Sequence, residues 1–453
     1  MKVLMISFNQ ECFPEPVFPI GAYYVAKSIV EDHEVEYIDR NLFSDEDVIK
    51  RIKEFQPDAV SIAFRNLDNT QYPLNKAFAP SLKSFISHIR ANYTGPIVLG
   101  GSGFSIMPQE MLAYTGADYG IVGAGEVSFL SLLNQLNQLE KKELLMSPLI
   151  IGNQISLKFN KAHSEKLQKL NEQFNFNWYY DEGGAIGITT KRGCPHRCIY
   201  CSYPLIEGTE YQLREPADVV NEIEYYLETM GIRHFFFTDS VFNDPSSHSV
   251  SIAAEIIKRK IPIEWTAYFS PANLNRDDLL LYKDSGCTGI DLGVESGSDS
   301  VLKHYGKNYN VEKILEVVKD CGSVNMPLLP NMLLGGPGET EETLSDTFEI
   351  LQKINPKAVF MQVGIRIYPK TPIYYTALQE GIINDKTDLL TPHFYIAPAV
   401  KDFIIKKVED EGTKHPNWFV PGLGVNIGEG EQAESPRKQF GVKGSLWIHL
   451  PSA

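Results

Sequence analysis

Short apolar runs alternate with longer segments of helical period along two stretches of the chain. KVLMISF at 2–8 is a continuous apolar run, as expected of a strand buried on both faces. A helix-like segment follows at 20–31, then EVEYI at 34–38 as a second strand and the amphipathic helix DEDVIKRIKEF at 45–55. AVSIAF at 59–64, PIVLGG at 96–101 and YGIVGAGE at 119–126 read as three further strands, with helices at 78–92, at 107–116 and from 127 onward. This rhythm predicts a doubly wound, Rossmann-like parallel sheet with ligands at the carboxyl ends of its strands.

A second alternating series starts at Ala185. AIGITT, HFFFTDS (234–240), IEWTAYF (263–269), GIDLGVES (289–296), LLPNMLLGG (328–336) and AVFMQVGIRIYP (358–369) are strand-like, with helical segments between them. Six strand–helix units predict a partial (β/α)6 barrel whose chemistry lies at the carboxyl ends of the strands. The boundaries read as a first domain over 1–140, a polar connector over 141–182, the barrel over 183–382 and a small extension over 383–453. That extension is rich in Pro, Gly and aromatic residues and suggests a lid. Trp418, Phe419 and Trp447 then line either a substrate pocket or a small core of their own.

At 453 residues, with 43% hydrophobic and 22% charged positions, the chain has ample material for two or three domains. The net charge of −15, with no basic block, disfavours a nucleic-acid partner. No apolar stretch reaches membrane-spanning length, and the N-terminus lacks the features of a signal peptide. Six cysteines do not make a disulfide framework. These features predict a cytoplasmic protein without a membrane partner.

The densest chemistry lies in KRGCPHRCIYCSYP, which spaces Cys194, Cys198 and Cys201 as CxxxCxxC. Three thiolates can hold three corners of a [4Fe–4S] cubane and leave the fourth iron open, whereas such clusters usually have four cysteine ligands. A structural zinc site prefers paired cysteines and four closed ligands, and no second pair exists here. Cys287 and Cys321 read as small buried hydrophobes.

With Tyr200 just before the last cysteine, this run resembles the signature of the radical S-adenosylmethionine (SAM) enzymes. The resemblance implies that the open iron chelates SAM and that one electron cleaves it to a 5′-deoxyadenosyl radical, delivered by a reductant such as flavodoxin or ferredoxin. It also assigns roles to residues at later strand ends. Asp239 and Ser240 would hold the SAM amino group, Glu295 and Ser296 the ribose, and Gly335 and Gly336 the adenine and methionyl groups. Arg366 would contact the SAM carboxylate or the substrate, and Tyr200 the adenine edge. Each has a bland alternative, a helix cap, a turn or a structural ion pair.

The first domain, with glycine turns at Gly100-Gly101-Ser102-Gly103 and Gly123-Ala124-Gly125-Glu126, resembles the cobalamin-binding domain that precedes the barrel in one radical SAM subclass. Arg65, Asn66 and Asp68, just after a strand, would lie near the corrin. The DxHxxG motif that supplies a cobalt ligand elsewhere is absent, and the turn after the first strand reads FNQECFPEP. The resemblance implies a cobalamin-dependent enzyme, chiefly a C-methyltransferase acting on an unactivated carbon of a small molecule or peptide. Radical cyclisation or rearrangement with the same cofactors is an alternative. So is a scaffold sheet without cobalamin, or an iron–sulfur or corrinoid carrier without turnover. A methylthiotransferase would need a second cysteine triad, and the N-terminal region holds only Cys12.

Overall fold

The computed structural model describes residues 1–9, 11–12, 14–138, 147–152, 164–427, 437 and 441–450. The parts of the connector at 141–146 and 153–163 and the tail residues 428–436 lie outside them.

The first sheet contains β1 (Lys2–Phe8), β2 (Glu34–Asp39), β3 (Ala59–Phe64), β4 (Ile97–Gly100), β5 (Tyr119–Gly123) and β6 (Leu149–Gly152), in the order 2-1-3-4-5-6. All its pairs are parallel. The apolar runs at 2–8 and 59–64 form its centre, where Val3, Leu4, Ile6, Val60 and Ile62 are buried. The order reverses at β1/β3, which opens the crevice expected of a doubly wound sheet at the carboxyl ends of those strands. Strand β6 adds a sixth member from within the connector, where sequence periodicity predicts none.

The second sheet begins with β7 (Ile186–Ile188). A two-stranded antiparallel ribbon of β8 (Lys191–Arg192) and β9 (Gln212–Leu213) brackets the cysteine loop. The sheet continues through β10 (His234–Phe237), β11 (Glu264–Phe269), β12 (Cys287–Glu295), β13 (Leu328–Leu334) and β14 (Val359–Val363). After β14, β15 (Ile365–Arg366) turns away to pair antiparallel with β16 (Phe394–Tyr395). A last strand, β17 (Trp418–Phe419), adds in parallel to β14, so the order is 17-14-13-12-11-10-7. The barrel stays open between β7 and β17. Along β12, Ile290, Leu292 and Val294 are fully buried against the helices. Side chains alternate along a strand, so Gly289, Asp291, Gly293 and Glu295 face the lumen.

Among the described residues, the tail divides between the two ends of the barrel: Ile396 and Ile404 lie against Gly335 at the carboxyl end of β13, while its two tryptophans lie elsewhere. Trp418 packs at the edge of the sheet against Phe348. Trp447 lies against Gly289, Leu329 and Ala358, near the starts of β12, β13 and β14, so it closes the opposite end of the barrel. The two domains share one continuous core. Tyr24, on the first helix (Ile20–Ile29), donates its hydroxyl to Glu222 on the barrel helix Pro216–Met230 at 3.3 Å.

Candidate active site

The cysteine loop leaves the end of the ribbon strand β8 and leads into the short helix Tyr203–Glu207. Gly193 opens it with φ +84°, tucked so close to the Glu210 carbonyl that no Cβ fits. The Cys194 amide donates to the Gly208 carbonyl at 3.1 Å, and the Ile199 amide to the Tyr305 carbonyl at 3.2 Å. Cys194 is buried, while Cys198 and Cys201 are partly exposed. Burial pushes the Cys201 thiol up to about 12, and the neighbouring thiols Cys198 and Cys194 add to this. Among the described residues, no three His, Cys, Asp or Glu side chains converge as a single metal ion requires. Three clustered soft donors without a fourth are the donor set of an open-cornered iron–sulfur cluster, whose iron would also draw off the thiol protons that burial retains.

Asp239 does not wait for SAM. Its carboxylate accepts from the Thr190 amide at 2.8 Å, the Lys191 amide at 3.2 Å, the Thr190 hydroxyl at 2.5 Å and Lys191 Nζ at 3.0 Å. The residue is 2% exposed. With its lone pairs taken by β8 and the turn before it, Asp239 fixes the start of the cysteine loop, which corrects its expected contact with the SAM amino group. Ser240 next to it is different. Its hydroxyl lies beside Cys194, where it favours the thiolate, and Oγ is buried with no hydrogen-bond partner of normal geometry.

At the end of β12, Glu295 adopts φ +68° beside a register shift against β13. A non-glycine residue in this conformation is strained. Its Oε1 accepts from Tyr200 at 2.6 Å and from Lys307 Nζ at 2.7 Å, and Lys307 also donates to the Tyr200 hydroxyl at 2.6 Å. One carboxylate oxygen is thus held and the other is left for a ligand, at a point linked to the cluster loop through Tyr200. Lys307 carries no sequence signal; it follows Glu295 by twelve residues in an unremarkable KNYN segment.

Other expected SAM contacts are used internally. Ser296 is fully buried, accepts from the Ser298 amide at 3.2 Å and lies 3.4 Å from the Thr347 hydroxyl, so its hydroxyl is used within the turn before the following helix. The Gly335 amide donates to Glu339 and the Gly336 amide to the Tyr305 hydroxyl, each at 3.1 Å. A side chain on Gly336 would strike the Tyr305 ring. These two glycines allow tight packing at the turn rather than offering free amides. Arg366 Nε pairs with Asp68 at 2.7 Å, and its other nitrogens donate to the Ile367 and Leu389 carbonyls. Arg366 and Asp68 are therefore a buried bridge between barrel and first domain, which corrects both as ligand contacts.

In the first domain, Arg65 is open to solvent at the end of β3, yet desolvation holds its guanidinium below its usual value, the mark of a group inside a cleft. Tyr203 and Tyr268 of the barrel face it there. Asn66 is half-buried beside it. Ser102 donates its hydroxyl to the Arg65 carbonyl at 2.8 Å. Gly100 leaves room, with the Ile121 carbonyl 3.8 Å from a Cβ position. Gly101, at φ +99°, is pressed against the Phe64 backbone. Gly123, at φ +83°, lies where a Cβ would be 3.0 Å from the Gly152 carbonyl and 3.2 Å from that of Ile206. Gly125 packs on Val25. Gly123, Gly152, Arg192, Ile206 and Gly208 border a groove of about 400 Å³ between this sheet edge and the cysteine loop. Glu126, 1% exposed, receives both terminal nitrogens of Arg192, which removes it from the expected cobalamin contacts. Small residues and an open cation at the carboxyl edge suit a flat, amide-bearing corrin.

The sequence matches the B12 binding domain family over residues 7–133 and the Radical SAM superfamily over residues 188–351. An uncharacterized methyltransferase of Pyrococcus horikoshii is 25% identical over 405 residues, covering 84% of each chain. The tryptophan 2-C-methyltransferase of Streptomyces laurentii is 24% identical, over 69% of this chain and 63% of its own. Among solved structures, the radical SAM methyltransferase TsrM of Kitasatospora setae, with cobalamin and a [4Fe–4S] cluster bound, superposes with a TM-score of 0.84 at 21% identity, covering 99% and 96% of the two chains. That last likeness is one of fold; the two family matches fall on the two sites described above. The chain thus joins a B12 binding domain to a radical SAM domain, and its cofactors are a [4Fe–4S] cluster, SAM and cobalamin.

Proposed function

We propose that this enzyme transfers a methyl group to an unactivated carbon of a small molecule or peptide. The observation that carries the reading is the junction of the two domains. The cysteine loop ends against the groove at the first sheet's carboxyl edge, and the Arg192–Glu126 pair holds the two edges together. When bound, the cluster and SAM supply one-electron cleavage of a C–S bond and cobalamin supplies a transferable methyl group. Cys194, Cys198 and Cys201 would ligate the cluster. Glu295, steadied by Tyr200 and Lys307, would accept from the ribose hydroxyls. Ser240, whose hydroxyl lies beside Cys194, would favour the thiolate that the cluster needs. Arg65, Asn66 and the Gly100 turn would meet the corrin.

An oxygen-sensitive cluster requires a reducing compartment and a low-potential donor such as flavodoxin or ferredoxin, which supports a cytoplasmic setting. Among the described residues, no helix is long and apolar enough to cross a membrane.

The test is to supply SAM labelled in its methyl group, with reductant, to the reconstituted enzyme. Label appearing on cobalamin and then in a product heavier by one methyl group supports the proposal. Turnover to a product without the label would replace methylation by cyclisation or rearrangement.

A further inference from the structure

Below the SAM-facing rim, the barrel lumen contains a carboxyl group that the proposed chemistry does not use. Asp291 lies on β12 among the inward-facing positions. At about 3.3 Å per residue it sits roughly 13 Å below Glu295. It is 5% exposed. Its register neighbours are Tyr268 on β11 and Leu329 on β13. Trp447, inserted from the closed end, lies beneath it against Gly289 and Leu329.

Among the described residues, the Trp447 indole is the one hydrogen-bonding group close enough to favour its ionised form, and that Nε1 makes no hydrogen bond of normal geometry. Among the described residues, no lysine or arginine pairs with Asp291, whereas Asp239, Asp68, Glu126, Glu222 and Glu295 each have a cationic partner. Buried carboxylates are costly unless paired. Beside it, Tyr268 is 46% exposed, and Phe236 meets its ring edge-on at 5.2 Å. Aromatic rings thus flank the one lumen-facing acid of β12 that lacks a cationic partner among the described residues, and an indole lies beneath it.

We propose that Asp291 recognises a cationic amine of the substrate, so that the enzyme acts on amine-bearing molecules whose apolar portion lies along Tyr268 and Phe236. This rests on the radical SAM reading, since it places the amine end of the substrate in the lumen and the reacting carbon toward the rim. The substrate would supply the positive charge that the lumen wall lacks. Burial alone pushes the Asp291 carboxyl up to about 7, and an ammonium ion in contact would return it to the carboxylate form.

The experiment uses the reconstituted enzyme with SAM and isothermal titration calorimetry. Its probes are matched pairs of a primary amine and the corresponding alcohol: phenethylamine with 2-phenylethanol, tyramine with tyrosol, and hexylamine with hexanol. The wild-type protein should bind amines at least tenfold more tightly than their alcohols. Asp291→Asn should abolish that preference while keeping iron, cobalt and SAM binding, and Asp291→Glu should retain part of it. Equal affinity for amines and alcohols in the wild type, or a preference that survives Asp291→Asn, overturns the proposal. Loss of iron or SAM binding in Asp291→Asn also overturns it, because the residue would then be structural. Failure of the wild type to take up iron at all would refute the radical SAM reading instead, so the two failures are distinguishable.

Discussion

Arg192 grips Glu126 with both terminal nitrogens, at 2.9 Å and 2.5 Å, two residues before the first cysteine of the cluster loop. The pair joins the glycine turn at the end of β5 to the start of the loop that carries all three thiols. Relative placement of the two cofactor sites therefore depends on a contact between residues 66 positions apart.

Removing the cation should expose that dependence. Arg192→Ala leaves a nearly inaccessible carboxylate without a partner, a change that typically costs about 3–5 kcal/mol. Urea unfolding should show a loss in that range. A loss below about 1 kcal/mol, the value of a surface pair, would mean that the junction is not held this way.

Arg366 offers a second check on the interface. Arg366→Ala should destabilise the protein comparably, because Asp68 is left buried and unpaired, while SAM affinity in the folded enzyme stays unchanged. Reduced SAM affinity with normal stability would return Arg366 to the ligand.

At the barrel rim, Glu295→Gln should weaken SAM binding about tenfold, roughly 1.4 kcal/mol, with the iron content unchanged. Lys307→Met should do likewise, since Lys307 and Tyr200 both hold Oε1 of Glu295 and so orient the carboxylate. Equilibrium dialysis with labelled SAM measures both. Loss of iron in either variant would make the network a support of the cluster loop instead.

Asp291 gives the protein a pH signature. Its folded value of about 7 lies above that of an unfolded aspartate, so the folded state holds the proton more tightly. Its contribution favours folding at low pH and is lost as pH rises from about 4 to about 7. The titratable groups facing it are Tyr268 and Cys287, both neutral in that window. Asp291→Asn should flatten the stability profile across it, as read by denaturant midpoints in the absence of amines. An unchanged slope would show that the carboxyl does not titrate there.

Sequence pattern and structure agree where the determining information is local. The runs at 2–8 and 59–64 are mostly apolar, without strict alternation, because parallel strands are covered on both faces. The three cysteines stand out because their ligand geometry is confined to eight residues. Short edge elements were not legible: β6 is a four-residue strand and β17 a two-residue one, and their pairing partners decide them. Nor were the distant pairs. Asp68 and Arg366 look like ligand contacts in a one-dimensional reading because each sits at a strand end, and only the fold brings together residues 298 apart. Asp239 illustrates the same limit at shorter range, since its four donors lie 48 and 49 residues away. The tail's aromatic residues were conspicuous, but nothing in them told which end of the barrel Trp447 would close.

The central claim is that one chain brings an iron–sulfur cluster and cobalamin together. Anaerobic reconstitution with iron, sulfide and hydroxocobalamin, then desalting and elemental analysis, tests it most directly. The account predicts about four irons per chain together with one cobalt, and loss of the iron alone in Cys198→Ala. A protein that retains iron but no cobalt would contradict it and leave the first domain as a scaffold beside a cobalamin-independent barrel.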